Sequence, residues 1–324
     1  MLDRRLVALT LPAAAALGVA AHGAEPYPSR PITVIVPYTP GTGIDIVART
    51  LGPKITERWG QAIVVDNRPG NSGNIGAQAV ATAPPDGYTL MTTVSAFAMT
   101  PALTKTLPYD PIRDFTPIAK VATGSMALAV NPTKLPVKSL AELIAMARER
   151  PGKLNYASPG NGTPQHVGME LFKQRLGIDI VHVPYKGAAG AMQDLVGGQV
   201  EIAYLPVHTA LPFAAAGKLR ILAVASDKRS ILAPDAPSFK ELGFDSMDIE
   251  LWYGIFGPAR LPAEIVAKWS GELAAVLALD DVKEALLKQG LVPAFAPPDA
   301  LANLMRDDVA RWRAVVEKAG IQPD

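Results

Sequence analysis

The sequence predicts an α/β chain folded into two lobes, and three observations predict it. Strand and helix signals alternate along most of its length, which suits mixed, mostly parallel sheets flanked by helices. One local grammar, strand then glycine loop then helix start, occurs near residue 40 and returns near 160 and 186. With 324 residues, 49% hydrophobic and 19% charged, the chain is long enough for two cores and too apolar for disorder.

The opening two dozen residues differ in kind from the rest. Arg4 and Arg5 precede an alanine-rich apolar run from Leu6 to Ala21, and small residues follow up to Ala24. That is a secretory signal pattern. A membrane anchor is the rival reading, but Pro12 interrupts the run and it falls short of the roughly 18 to 20 apolar residues that span a bilayer. Residues 1–24 are expected to be a cleaved signal peptide, and the mature chain is expected in the periplasm.

The first strand is carried by Ile32, Val34, Ile35 and Val36 and stops at Pro37. Thr39, Pro40, Gly41, Thr42 and Gly43 form a turn-rich loop, and Ile44, Val47, Ala48 and Leu51 keep helical spacing over 44–58. A strand at Ala62–Val65, a Gly/Asn-rich loop over 67–74, a helix at Ile75–Ala83, a Pro-Pro-Asp-Gly turn and a strand at Tyr88–Val94 complete the first unit. Prolines 111, 117, 132 and 136 then punctuate a strand at Met126–Val130. Ser139 followed by Glu142 has capping-box spacing for a helix reaching Glu149. Next come a strand and loop over Leu154–Thr163, a helix over 165–176, a strand at Ile178–Val183, a turn at Pro184–Gly187 and a helix at Ala188–Val196 ended by Gly197 and Gly198. Strands are expected at Gln199–Leu205 and Leu219–Ser226 with a short helix over 209–216 between them, then a strand at Trp252–Gly257 and two or three amphipathic helices. In the last helix Leu301, Leu304, Met305, Val309, Trp312, Val315, Val316 and Ala319 share one face, a core-packing pattern.

A chain that starts one α/β unit, passes into a second and returns with terminal helices implies crossings near 120–130 and 225–250. The lobes are then 25–125 plus 236–324, and 126–235. The cleft between them would be faced by the 38–45 loop and the 158–166 loop. In the first of these, a strand running through a glycine loop into a helix leaves unpaired N–H groups at the positive end of the helix dipole, a place suited to a carboxylate or phosphate.

Much chemistry is excluded. A net charge of +1, from 31 basic and 30 acidic residues, argues against a nucleic-acid partner. The absence of cysteine removes disulfides, thiolate metal sites and cysteine nucleophiles. No G-x-S-x-G elbow, H-E-x-x-H spacing or Walker loop occurs, and Gly70, Gly73 and Gly76 are spaced wrongly for a dinucleotide fingerprint. No cofactor, metal or catalytic residue is expected. Ser158 with His166, as nucleophile and base of an exported hydrolase, is the alternative.

Read together, YPSRPITVIVPY, VVDNRPGNSGNIGA, APPDGYTL, PGKLNYASPGNGT, VPYKGAAGAMQDLVGGQVE, GKLRILAVAS and RWRAVVEKAGI resemble the Bug-type solute receptors of tripartite tricarboxylate transporters, over almost the whole mature length. The resemblance implies a type II periplasmic-binding-protein (Venus flytrap) fold with no covalent chemistry: a monomer that closes on a small di-, tri- or aromatic carboxylate and hands it to membrane transporter subunits or a sensor. Carried over, the ligand positions are Tyr38, Gly41, Thr42, Gly43 and Asp45 on the first loop and Ser158, Asn161, Gly162, Thr163 and His166 on the second. Asp45 is expected to order its loop rather than touch a carboxylate. Tyr185, Gly187 and Ala188 would meet the distal end of the solute. Two departures stand out: Thr42 separates two glycines that are usually adjacent, and Tyr204-Leu205 stands where a polar or acidic residue is common. The second departure suggests an apolar far end near Tyr204, Leu205 and Trp252, with core packing as the rival reading for all three.

Overall fold

A computed structural model describes residues 27–226, 228–244, 250–318 and 320–323. The expected signal segment, residues 245–249 of the second crossing, and Ala319 lie outside the described residues.

The chain runs β1 (Ile32–Val36), α1 (Gly43–Trp59), β2 (Ile63–Asn67), α2 (Asn74–Ala81), β3 (Thr89–Val94), α3 (Ala96–Leu103) and then a long β4 (Phe115–Val130). It continues through α4 (Leu140–Glu149), β5 (Asn155–Ser158), α5 (Pro164–Leu176), β6 (Val181–Pro184), α6 (Ala188–Gly197), β7 (Ile202–Pro206), α7 (Val207–Ala215) and β8 (Arg220–Ala225). It returns with β9 (Glu250–Pro258), α8 (Ala263–Leu277), α9 (Asp280–Lys288), β10 (Val292–Ala296) and α10 (Pro298–Lys318).

The strand order is β2-β1-β3-β9-β4-β7-β5-β6, with β10 and β8 also paired to β4. Each wing is parallel: β1 lies parallel to β2 and β3 in one, and β5 parallel to β6 and β7 in the other. Antiparallel pairing is confined to the middle, around β4 and β9. The two wings are the two lobes of the fold. β4 belongs to both: through Ser125 it pairs with β9, and from Met126 onward with β7 and β8. β1 is buried at every residue except Thr33, as expected of a parallel strand covered on both faces.

Local chemistry accounts for the helix ends. Ser139 accepts the Glu142 N–H at 3.2 Å, while the Glu142 carboxylate reaches back to the Lys138 N–H at 2.8 Å, one residue earlier than in a standard capping box. Gly198 closes α6 in the left-handed conformation. On α10, Leu301, Met305, Val309, Trp312 and Val316 are buried on the predicted face.

Three elements go beyond the sequence expectation: α3, β10 and the first half of β4. α3 is a short, uniformly apolar helix interrupted by Pro101, so it carries no amphipathic period. β4 contains Pro117 and β10 contains Pro293, and both prolines sit beside irregularities in the strand register. Proline is tolerated in a sheet at such places, yet in the sequence it reads as a break.

Candidate functional site

Loop one is built by the end of β1 and the start of α1. Thr42 is the N-cap residue, with extended backbone, but its side chain caps nothing in the helix. Its hydroxyl donates instead to the Thr39 carbonyl at 3.0 Å. The first-turn amides of this 17-residue helix therefore have no capping side chain, and they carry the positive end of its dipole. Asp45, 3% exposed, would seem to oppose an anion there. Its charge is consumed locally: Oδ2 accepts the Gly41 N–H at 2.9 Å, and Oδ1 accepts Asn67 Nδ2 at 3.0 Å and Arg49 Nε at 2.9 Å. Burial pushes the Asp45 carboxyl up, but these hydrogen bonds and the Arg49 charge outweigh it and hold the group below the usual carboxylate range. Tyr38 donates to the Ser72 carbonyl at 3.2 Å, which ties loop one to the loop ahead of α2.

Gly43, the first residue of α1, is required by its neighbour. A Cβ there would stand 2.6 Å from the hydroxyl oxygen of Tyr253, which rises from β9.

Loop two joins β5 to α5. Thr163 is a working N-cap: its hydroxyl accepts the His166 N–H at 3.4 Å and donates to the Gly160 carbonyl at 2.8 Å. The Gly162 N–H donates to His166 Nδ1 at 3.0 Å, which requires that nitrogen to be unprotonated. Behind the loop three rings are stacked. His166 lies on His182 with centroids 4.0 Å apart, and His182 lies on Tyr156 at 4.8 Å. Tyr156 donates to Glu170 at 2.6 Å, and Glu170 is paired with Lys173. Burial, with His166 alongside, pushes the His182 imidazole down to about 4, so that ring is neutral at ordinary pH. The turn before α6 is laced to the same loop, since Tyr185 N–H and Gly187 N–H donate to the carbonyls of Ser158 and Pro159, each at 2.9 Å. Loop two also touches the other lobe: a Cβ on Gly162 would meet the Leu103 side chain of α3 at 3.4 Å.

Two glycine-loop helix starts, one uncapped and one capped by Thr163, on a two-lobed α/β frame are matched by known proteins. Residues 47–321 fit the model of the tripartite tricarboxylate transporter family receptor. The chain is 35% identical over 309 residues to the protein BugT of Bordetella pertussis, covering 94% of each. The chain belongs to this receptor family. Among solved structures, an R. palustris protein with adipate aligns with TM-score 0.84 and 36% identity over 92% of this chain and all of that one. MatC from Rhodopseudomonas palustris, with bound malate, aligns with TM-score 0.78 and 31% identity over 90% of this chain and all of that one. Family membership makes the chain a solute receptor rather than an enzyme, on a type II periplasmic-binding-protein frame.

Within this receptor the sequence-derived site residues fall into three groups. Tyr38, Gly41, Thr42, Gly43 and Asp45 assemble at the start of α1. Ser158, Gly162, Thr163 and His166 assemble at the start of α5, with Tyr185 and Gly187 bonded to the same loop. Asn161 is exposed at the tip of that loop, and Ala188 is exposed at the first residue of α6. Tyr185 turns its hydroxyl away to Asp194 at 2.7 Å. Tyr204 and Leu205 do not join either group: they are 1% and 5% exposed within β7, packed in the core. Trp252 is likewise core, 1% exposed, with its indole N–H on Asp308 at 2.6 Å. The side chains of all three are buried on strands covered by other elements.

The pairing of Ser158 with His166 is also not what the fold makes. Ser158 is bonded to His182 at 2.6 Å and is 0% exposed, so no substrate carbonyl can approach its oxygen. His182 was missed by sequence reasoning, although Tyr156 and His182 face each other across the β5–β6 register. Asn67 was missed as well, and it links Asp45 to the Tyr38 carbonyl. Tyr253 left no signal in the sequence at all. Among the described residues no group of acidic, histidine or cysteine side chains is placed to hold a metal.

Proposed function

We propose that this receptor captures a small di- or tricarboxylate between loop one and loop two and presents it, by lobe closure, to membrane transporter subunits. The observation that carries this reading is the start of α1, whose first-turn amides have no capping side chain while the nearby acid, Asp45, is satisfied by Gly41, Asn67 and Arg49. Helix starts of this kind bind anions through oriented N–H groups, with no need of a paired cation. Loop two supplies a second helix start, and its contact with Leu103 fits a lobe that swings onto its neighbour. Relatives solved with adipate and with malate support a carboxylate as the solute class.

On this reading Gly41, Thr42, Gly43, Asn161, Gly162, Thr163 and Ala188 contact the solute, while Asp45, Ser158 and His166 shape the loops that do. Tyr38, Tyr185 and Gly187 close the sides. The hinge lies where β4 changes partners, giving lobes of 25–125 plus 236–324 and 126–235, and a signal peptide of 1–24 sends a monomer to the periplasm. The test is a thermal-shift screen against mono-, di- and tricarboxylates. Saturable stabilisation by one or a few acids, recovered unchanged, is the expected result. Stabilisation by none of them, or unaltered affinity in both Thr163→Ala and His166→Ala, would remove this site.

A further inference from the structure

Tyr253 is a buried tyrosine, 2% exposed, whose hydroxyl lies against the start of α1. Burial alone raises its ionisation, with no hydrogen bond contributing, so the group stays a neutral donor. Buried hydroxyls are nearly always bonded, because an unmet one costs free energy that folding does not return. The direction in which this one points is fixed by two glycines. Its oxygen stands 2.6 Å from where a Cβ of Gly43 would be and 3.7 Å from that of Gly124. Gly43 is the first residue of α1, so the phenol lies beside the uncapped first turn.

The strand register places Tyr253 at the same edge of the sheet. It pairs with Val94, the last residue of β3, so it stands at the carboxyl end of the parallel strands β1 and β3, where ligands of such sheets bind. The next residue, Ser95, donates its N–H to the Trp252 carbonyl at 3.0 Å, and its own hydroxyl is buried without a partner. The unmet Ser95 hydroxyl and the Tyr253 phenol therefore come from neighbouring positions of paired strands at one corner. We infer that the Tyr253 hydroxyl, with Ser95 beside it, donates to a carboxylate oxygen of the solute held at the start of α1, and that Gly43 lacks a side chain so that the phenol can reach that oxygen.

This inference rests on the carboxylate reading and deepens it. A neutral phenol next to helix amides gives more to an anionic oxygen than to an amide carbonyl, since bonds to charged acceptors are the stronger ones. Tyr253 thus favours the free acid over its primary amide.

The experiment is calorimetric titration of the wild type, Tyr253→Phe, Gly43→Ala and the double variant. The probe is whichever acid of an adipate, malate, succinate and citrate panel stabilises the wild type most, together with its amide. Tyr253→Phe should weaken acid binding by about 10- to 100-fold, the range expected for a bond to a charged group, and should narrow the preference for acid over amide. Gly43→Ala, which drives a methyl into the phenol's place, should weaken it as well, and the double variant should bind no worse than the weaker single one. Equal binding by wild type and Tyr253→Phe, with urea midpoints matched, overturns the role of Tyr253 while leaving the carboxylate reading intact. Additive losses in the double variant also overturn it. Failure of every panel acid to bind the wild type overturns both.

Discussion

Acidification from pH 7 to 4 should destabilise this receptor through two imidazoles that the fold keeps neutral. Burial holds His182 and His208 each at about 4, against an ordinary value of 6.5. In the unfolded chain both take up a proton near pH 6.5; in the fold neither does until about pH 4. Across that window the unfolded state binds more protons, so stability falls as pH falls, and the full contribution is present only above about 6.5. At about 1.36 kcal/mol per tenfold change in proton affinity, the ceiling is about 3.4 kcal/mol for each imidazole, of which about 2.4 kcal/mol is lost between pH 7 and 4.5. His182 is only half-buried, and solvent screening reduces its share to roughly half that figure. His208 lies under the backbone of Gly290, where even a methyl group would not fit, and should carry the larger share. The depressed carboxylates Asp45 and Asp114 act below their ordinary values near pH 4, so their loss is separable. Urea denaturation at pH 7 and 4.5 of the wild type, His182→Gln and His208→Gln measures the effect. The drop between the two pH values should shrink by about 1–2 kcal/mol in each variant. Three parallel profiles would refute the assignment of the acid response to these rings.

Other perturbations have equally specific outcomes. Asp45→Ala leaves the Gly41 N–H without its acceptor and the Asn67 amide with only the Tyr38 carbonyl, and should cost about 2–3 kcal/mol in urea denaturation at unchanged m, together with weaker solute binding. Trp252→Phe leaves the Asp308 carboxyl buried without its indole donor, so about 1–3 kcal/mol should be lost with no effect on solute affinity. A change in affinity would mean that Trp252 is not only a core residue. Ser158→Ala should remove the link between loop two and His182 and speed solute release, readable by stopped-flow fluorescence; an unchanged off-rate would count against that link.

The sequence made the frame legible because the frame is local. Hydrophobic period, turn residues and caps specify β1 through β3 and α4 through α6 within a few residues, and each is an interaction between near neighbours. The two glycine loops were legible for the same reason. What escaped depends on contacts between distant segments. Ser158 looks toward His166 along the chain, eight positions on, yet it bonds His182 because β6 lies beside β5 in the sheet. Tyr204 and Leu205 depart from the family pattern and so read as either a pocket wall or core, and it is the place of β7 between β4 and β5 that buries them. Tyr253 and Gly43 are separated by most of the chain, and only the return of β9 next to β3 brings them together.

Two glycines beside one tyrosine permit a final discrimination. At Gly124 an added Cβ would meet the Tyr253 ring at 3.5 Å and its oxygen at 3.7 Å, which is ordinary contact. At Gly43 the same atom would stand 2.6 Å from the oxygen and 3.0 Å from the ring, which forces a buried side chain to move. Gly124 sits in β4, two residues before the strand begins to change partners, so alanine there also restricts the unfolded chain and suits the sheet. Gly124→Ala should therefore be neutral or stabilise by about 0.4–1 kcal/mol. Gly43→Ala should destabilise by about 1–3 kcal/mol, as overpacking of a close-packed interior does. If the ranking reversed in urea denaturation, the Tyr253 hydroxyl would have to lie on the β4 side, away from α1, and the start of the helix would lose its phenol donor. Tyr253 thus stands between the first residue of α1 and β4, the strand that pairs in both wings.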